Sequence, residues 1–250
     1  MKVKKIPSIF VLLFFSVTFL LGGETLEEVL AKNYKARGGL EKLKAIKTMY
    51  MEGKVVVPQQ NVEVTMKLWH KKPNKMRMES VFQGQKMIQA YDGETAWWVM
   101  PFMGIQEPQK VPEEKVEEIK DEANFENPLV EYKEKGYKLE LLGKEEMEGT
   151  EVYKLKLTKK DGKVIYFYLD ADTGIELKTE TYIKKDSSET HVENVFGDYK
   201  EVDGIMIPFY IENRVNGQVV TQIMLTKVEL NAPIDDKLFS MPPKKKGAEK

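Results

Sequence analysis

The sequence predicts a mainly β fold with helices, of the α+β class, organised around antiparallel strands. Three observations carry this. Apolar and polar residues alternate with a period of two over most of the chain, the pattern of half-buried strands. Tight-turn pairs such as Asp92-Gly93, Glu148-Gly149, Asp161-Gly162, Asp203-Gly204 and Asn216-Gly217 punctuate it at hairpin spacing. Helical periodicity is confined to two places, the start of the folded part and its middle.

Residues 25–36 read as a helix, with Thr25 as N-cap, Glu28 three residues on, and an apolar stripe of Leu26, Val29, Leu30 and Tyr34. Gly38-Gly39 stops it, and 40–46 form a further helical turn. Five strands are then expected, over 48–57, 62–71, 76–82, 85–91 and 95–100. Residues 112–123 and 128–135 return to helix, the second with Asn127 as N-cap and Gly136 as its stop. Seven strands follow, near 138–148, 151–158, 163–170, 175–185, 189–199, 205–216 and 218–230. Their tight turns imply a meander, and Pro208 marks an edge or a bulge within it. Neither a repeat nor a linker divides residues 24–243, which are expected to form a single domain.

The 39 basic and 40 acidic residues leave a net charge of −1, so no field is available to attract nucleic acid. Cysteine is absent, which removes disulfides, thiol chemistry, Cys-based zinc sites and the N-terminal Cys of lipid-anchored proteins. Only His70 and His191 remain as imidazoles, and the motifs of hydrolases, phosphate loops and dinucleotide sites are missing. We expect no enzyme activity, no cofactor and no metal. Asp170–Gly174 reads as a hairpin turn rather than a calcium loop. His191 with Glu193 reads as a solvated face, and His70 as the end of an apolar strand face.

The first 23 residues have the layout of a secretory signal: three lysines in the first five, then a 16-residue uncharged apolar run ending at Gly22-Gly23. That run falls short of the roughly 20 residues of a membrane-spanning helix. Export is therefore expected, with the mature chain soluble. Residues 244–250 form a basic tail.

Methionine is concentrated where the first strands lie: eight of the 13 Met fall between residues 49 and 103. Met49, Met51, Val55, Val64, Met66, Leu68, Met76 and Met78 share the inward faces of these strands. Flexible thioethers repack around ligands of varied shape. Residues 97–105 carry no charge, although half of them lie beyond any strand. Either they pack over one end of the core, or Trp97, Trp98, Met100, Phe102 and Met103 line and lid an apolar pocket, or they form an oligomer contact.

Several segments in order resemble one family: 34–40 (YKARGGL), Met51-Glu52-Gly53, 91–97 (YDGETAW), 136–143 (GYKLELLG), Tyr168-Leu169-Asp170 with Thr173-Gly174, Ile207-Pro208, and 238–242 (LFSMP). Together they resemble the outer-membrane lipoprotein-sorting proteins, the LolA-like superfamily of periplasmic carriers. The resemblance implies a strongly curved antiparallel sheet, an unclosed β-barrel of about eleven strands with helices plugging its concave face. It further implies a periplasmic protein that binds lipid or lipoprotein acyl chains there, working with inner- and outer-membrane transport components. Relatives of this fold also act as envelope sensors that regulate a partner protein, which is the alternative reading.

Overall fold

A computed structural model describes residues 23–185 and 188–243. The rest of the expected export signal and the basic tail lie outside the described residues. Two helices open the fold, α1 (Leu26–Ala36) and α2 (Leu40–Lys44). Thr25 and Glu28 form the expected reciprocal cap of α1. Five hairpin-linked strands follow: β1 (Thr48–Val57), β2 (Val62–Lys71), β3 (Lys75–Phe82), β4 (Gln85–Tyr91) and β5 (Ala96–Met100). A sixth, β6 (Ile105–Lys110), precedes α3 (Glu113–Ala123) and α4 (Pro128–Lys135). The remaining strands are β7 (Lys138–Met147), β8 (Thr150–Thr158), β9 (Val164–Asp170), β10 (Glu176–Lys185), β11 (Ser188–Val202), β12 (Ile205–Val215) and β13 (Gln218–Leu230).

All thirteen strands form one antiparallel sheet, in the order β6-β5-β4-β3-β2-β1-β13-β12-β11-β10-β9-β8-β7. The chain's two β blocks meet where β1 pairs with β13, and β6 and β7 remain as free edges. The resemblance implies about eleven strands, and the residues alone give twelve. The additional strand is β6, whose Pro108 hides it from pattern reading but is tolerated because β6 is an edge.

The sheet curves strongly around its helices. Flat, β2 and β7 would lie roughly 40 Å apart, being eight steps apart in the strand order at about 4.8 Å each. Yet α4, only about 12 Å long, packs Leu129 and Tyr132 with Leu139 of β7 and pairs Glu131 with Lys72, just after β2. An open barrel wrapped around this helix satisfies both contacts.

The inner face carries three packed clusters. Val29 and Leu30 of α1 join Leu129 and Tyr132 of α4 over β7–β9. Leu43 of α2 and Val130 of α4 pack with Met66, Ile205, Ile207, Phe209 and Leu225. Ile119 and Ala123 of α3 sit on Met76, Tyr91 and Trp98. Among the described residues, 231–241 cross the outer face, bringing Phe239 over Trp97.

A seam in the sheet fixes where the helix junction closes. β12 pairs with β11 along most of its length, but with β13 only from Tyr210 onward. Ile205–Phe209, including Pro208, is thus a local edge inside the sheet, as the proline requires. The α1–α2 junction packs on this seam: Met206 N–H donates to the Arg37 carbonyl, and Gly38 lies so close to Gly204 that a Cβ would meet its carbonyl oxygen at 2.0 Å.

Candidate functional site

Beneath the α1–α2 junction and the α3–α4 link, the inner face is hollow. A cavity of about 230 Å³ is walled by Leu43, Ile46, Met49, Phe125, Phe167, Phe196, Ile207 and Pro208, with Arg37, Lys72, Glu126, Glu176 and Tyr199 among them. It exists because β13 leaves β12 at the seam and because the link between α3 and α4 bridges the concave space. A second cavity of about 310 Å³ shares Pro128, Phe167 and Glu176 with the first. Its lining is more polar, with Lys163, Thr179, Thr181 and Asn194. Glu176 lies on the wall of both, and the second carries more hydroxyl and amide groups than the first.

The charges around the apolar chamber are unevenly settled. Glu126 takes Lys135 and Lys159 at 3.1 Å each. Burial pushes its carboxyl up, but hydrogen bonds from Asn124, Lys135 and Lys159 outweigh this and hold its pKa at about 2. Lys72 pairs with Glu131. Arg37 and Glu176 differ: they stand 4.0 Å apart, beyond hydrogen-bond distance. Burial raises the Glu176 carboxyl above its ordinary range, only partly opposed by Arg37. Burial likewise raises Tyr199, whose hydroxyl donates to the Glu176 carbonyl at 2.6 Å.

The residues singled out from the sequence divide into three groups. Met49 lines the apolar chamber. Met51, Val55, Val64, Leu68 and Met78 share its inner face and are only half-buried, so an apolar strip runs from the cavity along β1–β3. From Met49 to Val55 this strip is about 20 Å long. Met66 is buried under α2 and α4. Met76, Trp98 and Met100 pack against α3, which fills that end of the trough.

The third group is not brought to the cavity. Trp97 and Trp98 are consecutive strand residues and point to opposite faces. Trp97 faces outward, 0% exposed, stacked under the Arg77 guanidinium with its Nε1 donating to the Phe239 carbonyl at 2.7 Å. Phe102 and Met103 sit in a 3₁₀ turn between β5 and β6, 49% and 64% exposed. They are an outward tip beside Phe82 rather than a lid. The space behind residues 97–105 is filled on both faces; the hollow lies elsewhere.

Sequence reasoning missed Arg37, Phe125, Glu176, Phe196 and Tyr199. The available signals were the rarity of arginine and the Arg37-Gly38-Gly39 turn; nothing local marks Phe196. On the outer face, Glu180, His191 and Glu193 bring three donor atoms within 4.8 Å of one another. The Lys178 ammonium, however, already pairs with both carboxylates and fills the place a cation would take. His70 is buried at the end of β2 and stacked on Phe125, as expected of a strand-end residue. No helix among the described residues is long and apolar enough to cross a membrane.

A family model described as an uncharacterized protein matches residues 80–242, well over half of the chain. The chain belongs to that family. Its fold is that of the LolA-like, lipoprotein-sorting proteins. A domain described as an outer membrane lipoprotein-sorting protein from Vibrio parahaemolyticus superposes with a TM-score of 0.57 at 12% identity, covering 85% of this chain and 94% of that one. A LolA superfamily protein from Nitrosomonas europaea gives 0.56 at 16% identity, covering 87% and 98%. A DUF1329 family protein from Desulfovibrio piger gives 0.58 at 16% identity, with the same coverage. No curated protein matches the sequence.

Proposed function

We propose that the protein is a periplasmic carrier, one domain over residues 24–243 behind an export signal, that shields lipid or lipoprotein acyl chains in transit to the outer membrane. The observation that carries this reading is the apolar chamber under the helix junctions, continued by the half-buried Met/Val/Leu strip of β1–β3. Half a bilayer's hydrocarbon core is about 15 Å deep, so a strip of about 20 Å accommodates one chain along its length. The chamber alone, at about 230 Å³, lies below the 300–1,000 Å³ of usual small-molecule sites. One chain, partly in the chamber and partly on the strip, is the capacity this geometry supports.

The energetics suit a carrier. Burying about ten methylenes yields roughly 8 kcal/mol at ~0.8 kcal/mol each. Association costs several kcal/mol against that, leaving a complex that holds its cargo and still releases it. The membrane components that donate and accept the cargo belong to the same proposal. The test is native mass spectrometry of protein purified from the cell envelope, followed by delipidation and titration with a fluorescent fatty acid. Co-purifying lipid and saturable one-to-one uptake are expected. Empty protein that also takes up no fatty acid contradicts the reading.

A further inference from the structure

The three arginines of this chain are not used alike. Arg77 donates from Nε and Nη2 to Glu79 at 2.8 and 2.7 Å and from Nη1 to the Leu238 carbonyl at 3.0 Å. Arg214 grips Glu212 through Nε and Nη2 at 2.7 Å. Arg37 is 17% exposed at its side chain, yet among the described residues its guanidinium makes no hydrogen bond, and Glu176 at 4.0 Å is its sole ion-pair neighbour. Standing on the wall of an apolar chamber, this guanidinium keeps its five donors available to a ligand. The other charges lining that chamber are already matched, Lys72 by Glu131 and Glu126 by two lysines. Glu176, the neighbour of Arg37, also borders the second cavity, where the Asn194 amide donates to the Thr179 hydroxyl at 3.1 Å.

Resting on the carrier reading, we propose that the cargo is an anionic amphiphile whose carboxylate or phosphate head is held by Arg37, with its chain in the apolar chamber. The planar guanidinium fork matches both heads in a bidentate manner. Glu176 is the built-in competitor: its carboxylate, 4.0 Å from the guanidinium, draws on Arg37 and has to yield to the ligand's head. The placing of the Arg37 guanidinium orients the ligand, with its head there and its tail toward Met49 and Ile46.

The experiment is displacement of a neutral fluorescent probe, N-phenyl-1-naphthylamine, by four amphiphiles of equal chain length: hexadecanoate, hexadecyl phosphate, hexadecanol and methyl hexadecanoate. At least one anion should bind tenfold or more tightly than both neutral compounds, and which one separates a fatty-acid source from a phospholipid source. Arg37→Met should abolish that preference and leave hexadecanol unchanged. Glu176→Gln should tighten the anion two- to fivefold, an effect of opposite sign that serves if Arg37→Met does not fold. Equal binding of charged and neutral chains by the native protein, or a preference that survives in folded Arg37→Met, overturns the anchor and leaves the carrier reading standing. Unchanged or weakened anion binding in Glu176→Gln also overturns it. Failure of all four amphiphiles and the probe to bind removes both.

Discussion

The two ends of the inner face are made of similar residues and do opposite things. Under α3, Met76, Tyr91, Trp98, Ile119 and Ala123 interlock into a filled cluster. Under the α1–α2 junction and the α3–α4 link, Met49, Phe125, Phe196 and Ile207 wall an open chamber. Apolar composition alone therefore does not distinguish a core from a container. What separates them is backbone: α3 lies flat on β3–β5, whereas the other end has a seam where β13 leaves β12. The second mark of the hollow end is its imperfect charge, since a filled core would not leave Arg37 without hydrogen bonds.

This contrast is open to test by making changes that should affect stability alone, binding alone, or neither. The largest stability loss is expected at Trp97, on the outer face: Trp97→Ala removes a fully buried ring and its bond to the Phe239 carbonyl. It should cost about 3–5 kcal/mol by urea denaturation, with probe affinity of the folded fraction unchanged. Met76→Ala, in the filled end, should cost about 2–5 kcal/mol and likewise spare binding. Reduced affinity in either folded variant would mean that the two ends are not separate.

The boundary between the ends has a pH signature. Burial lowers the pKa of His70 from 6.5 to about 4. Its folded pKa lies below its unfolded one, so protonation favours the unfolded chain. The neutral imidazole is fully accommodated above about pH 6.5, and stability falls as pH drops from there to about 4, by roughly 3 kcal/mol in total. His70→Phe should flatten that part of the curve. Below it, Glu126, held at about 2, loses its lysine pairs between pH 4.5 and 2, a decline that His70→Phe should leave in place.

Binding should respond to the opposite set of residues. Met49→Trp puts bulk into the chamber from a half-buried position and should weaken fatty-acid uptake at least tenfold. Its stability should change by no more than about 1–3 kcal/mol. The smallest effect is expected at the exposed tip, where Phe102→Ser with Met103→Ser should shift stability by about 0.5 kcal/mol or less. The pair should also leave uptake in solution intact, because these side chains do not reach the chamber.

Much of the fold was legible because its signals are local. The Thr25/Glu28 cap, the period of two and the Asp-Gly and Asn-Gly turns set most element boundaries within a residue or two, although β11 runs three residues past its expected end, and Pro208 announced the seam. β6 was not legible, since Gln106, Glu107 and Pro108 carry no apolar alternation and an edge strand needs none. The site was legible in part. Met49 and the β1–β3 strip followed from alternation, and the same rule applied to Trp97 and Trp98 separates them onto opposite faces. Arg37, at the end of α1, and Glu176, at the start of β10, lie 139 residues apart, and no local pattern encodes their meeting.

The central claim is that a lipid chain occupies the hollow end and not the filled one. Photo-crosslinking with a diazirine-bearing hexadecanoate, mapped by peptide mass spectrometry, tests it most directly. Labels should fall on Phe125, Phe196, Ile207 or Met49 and be competed away by unlabelled hexadecanoate. Labels confined to Trp98 and Ile119, to the Phe102–Met103 tip, or spread without competition would contradict the account.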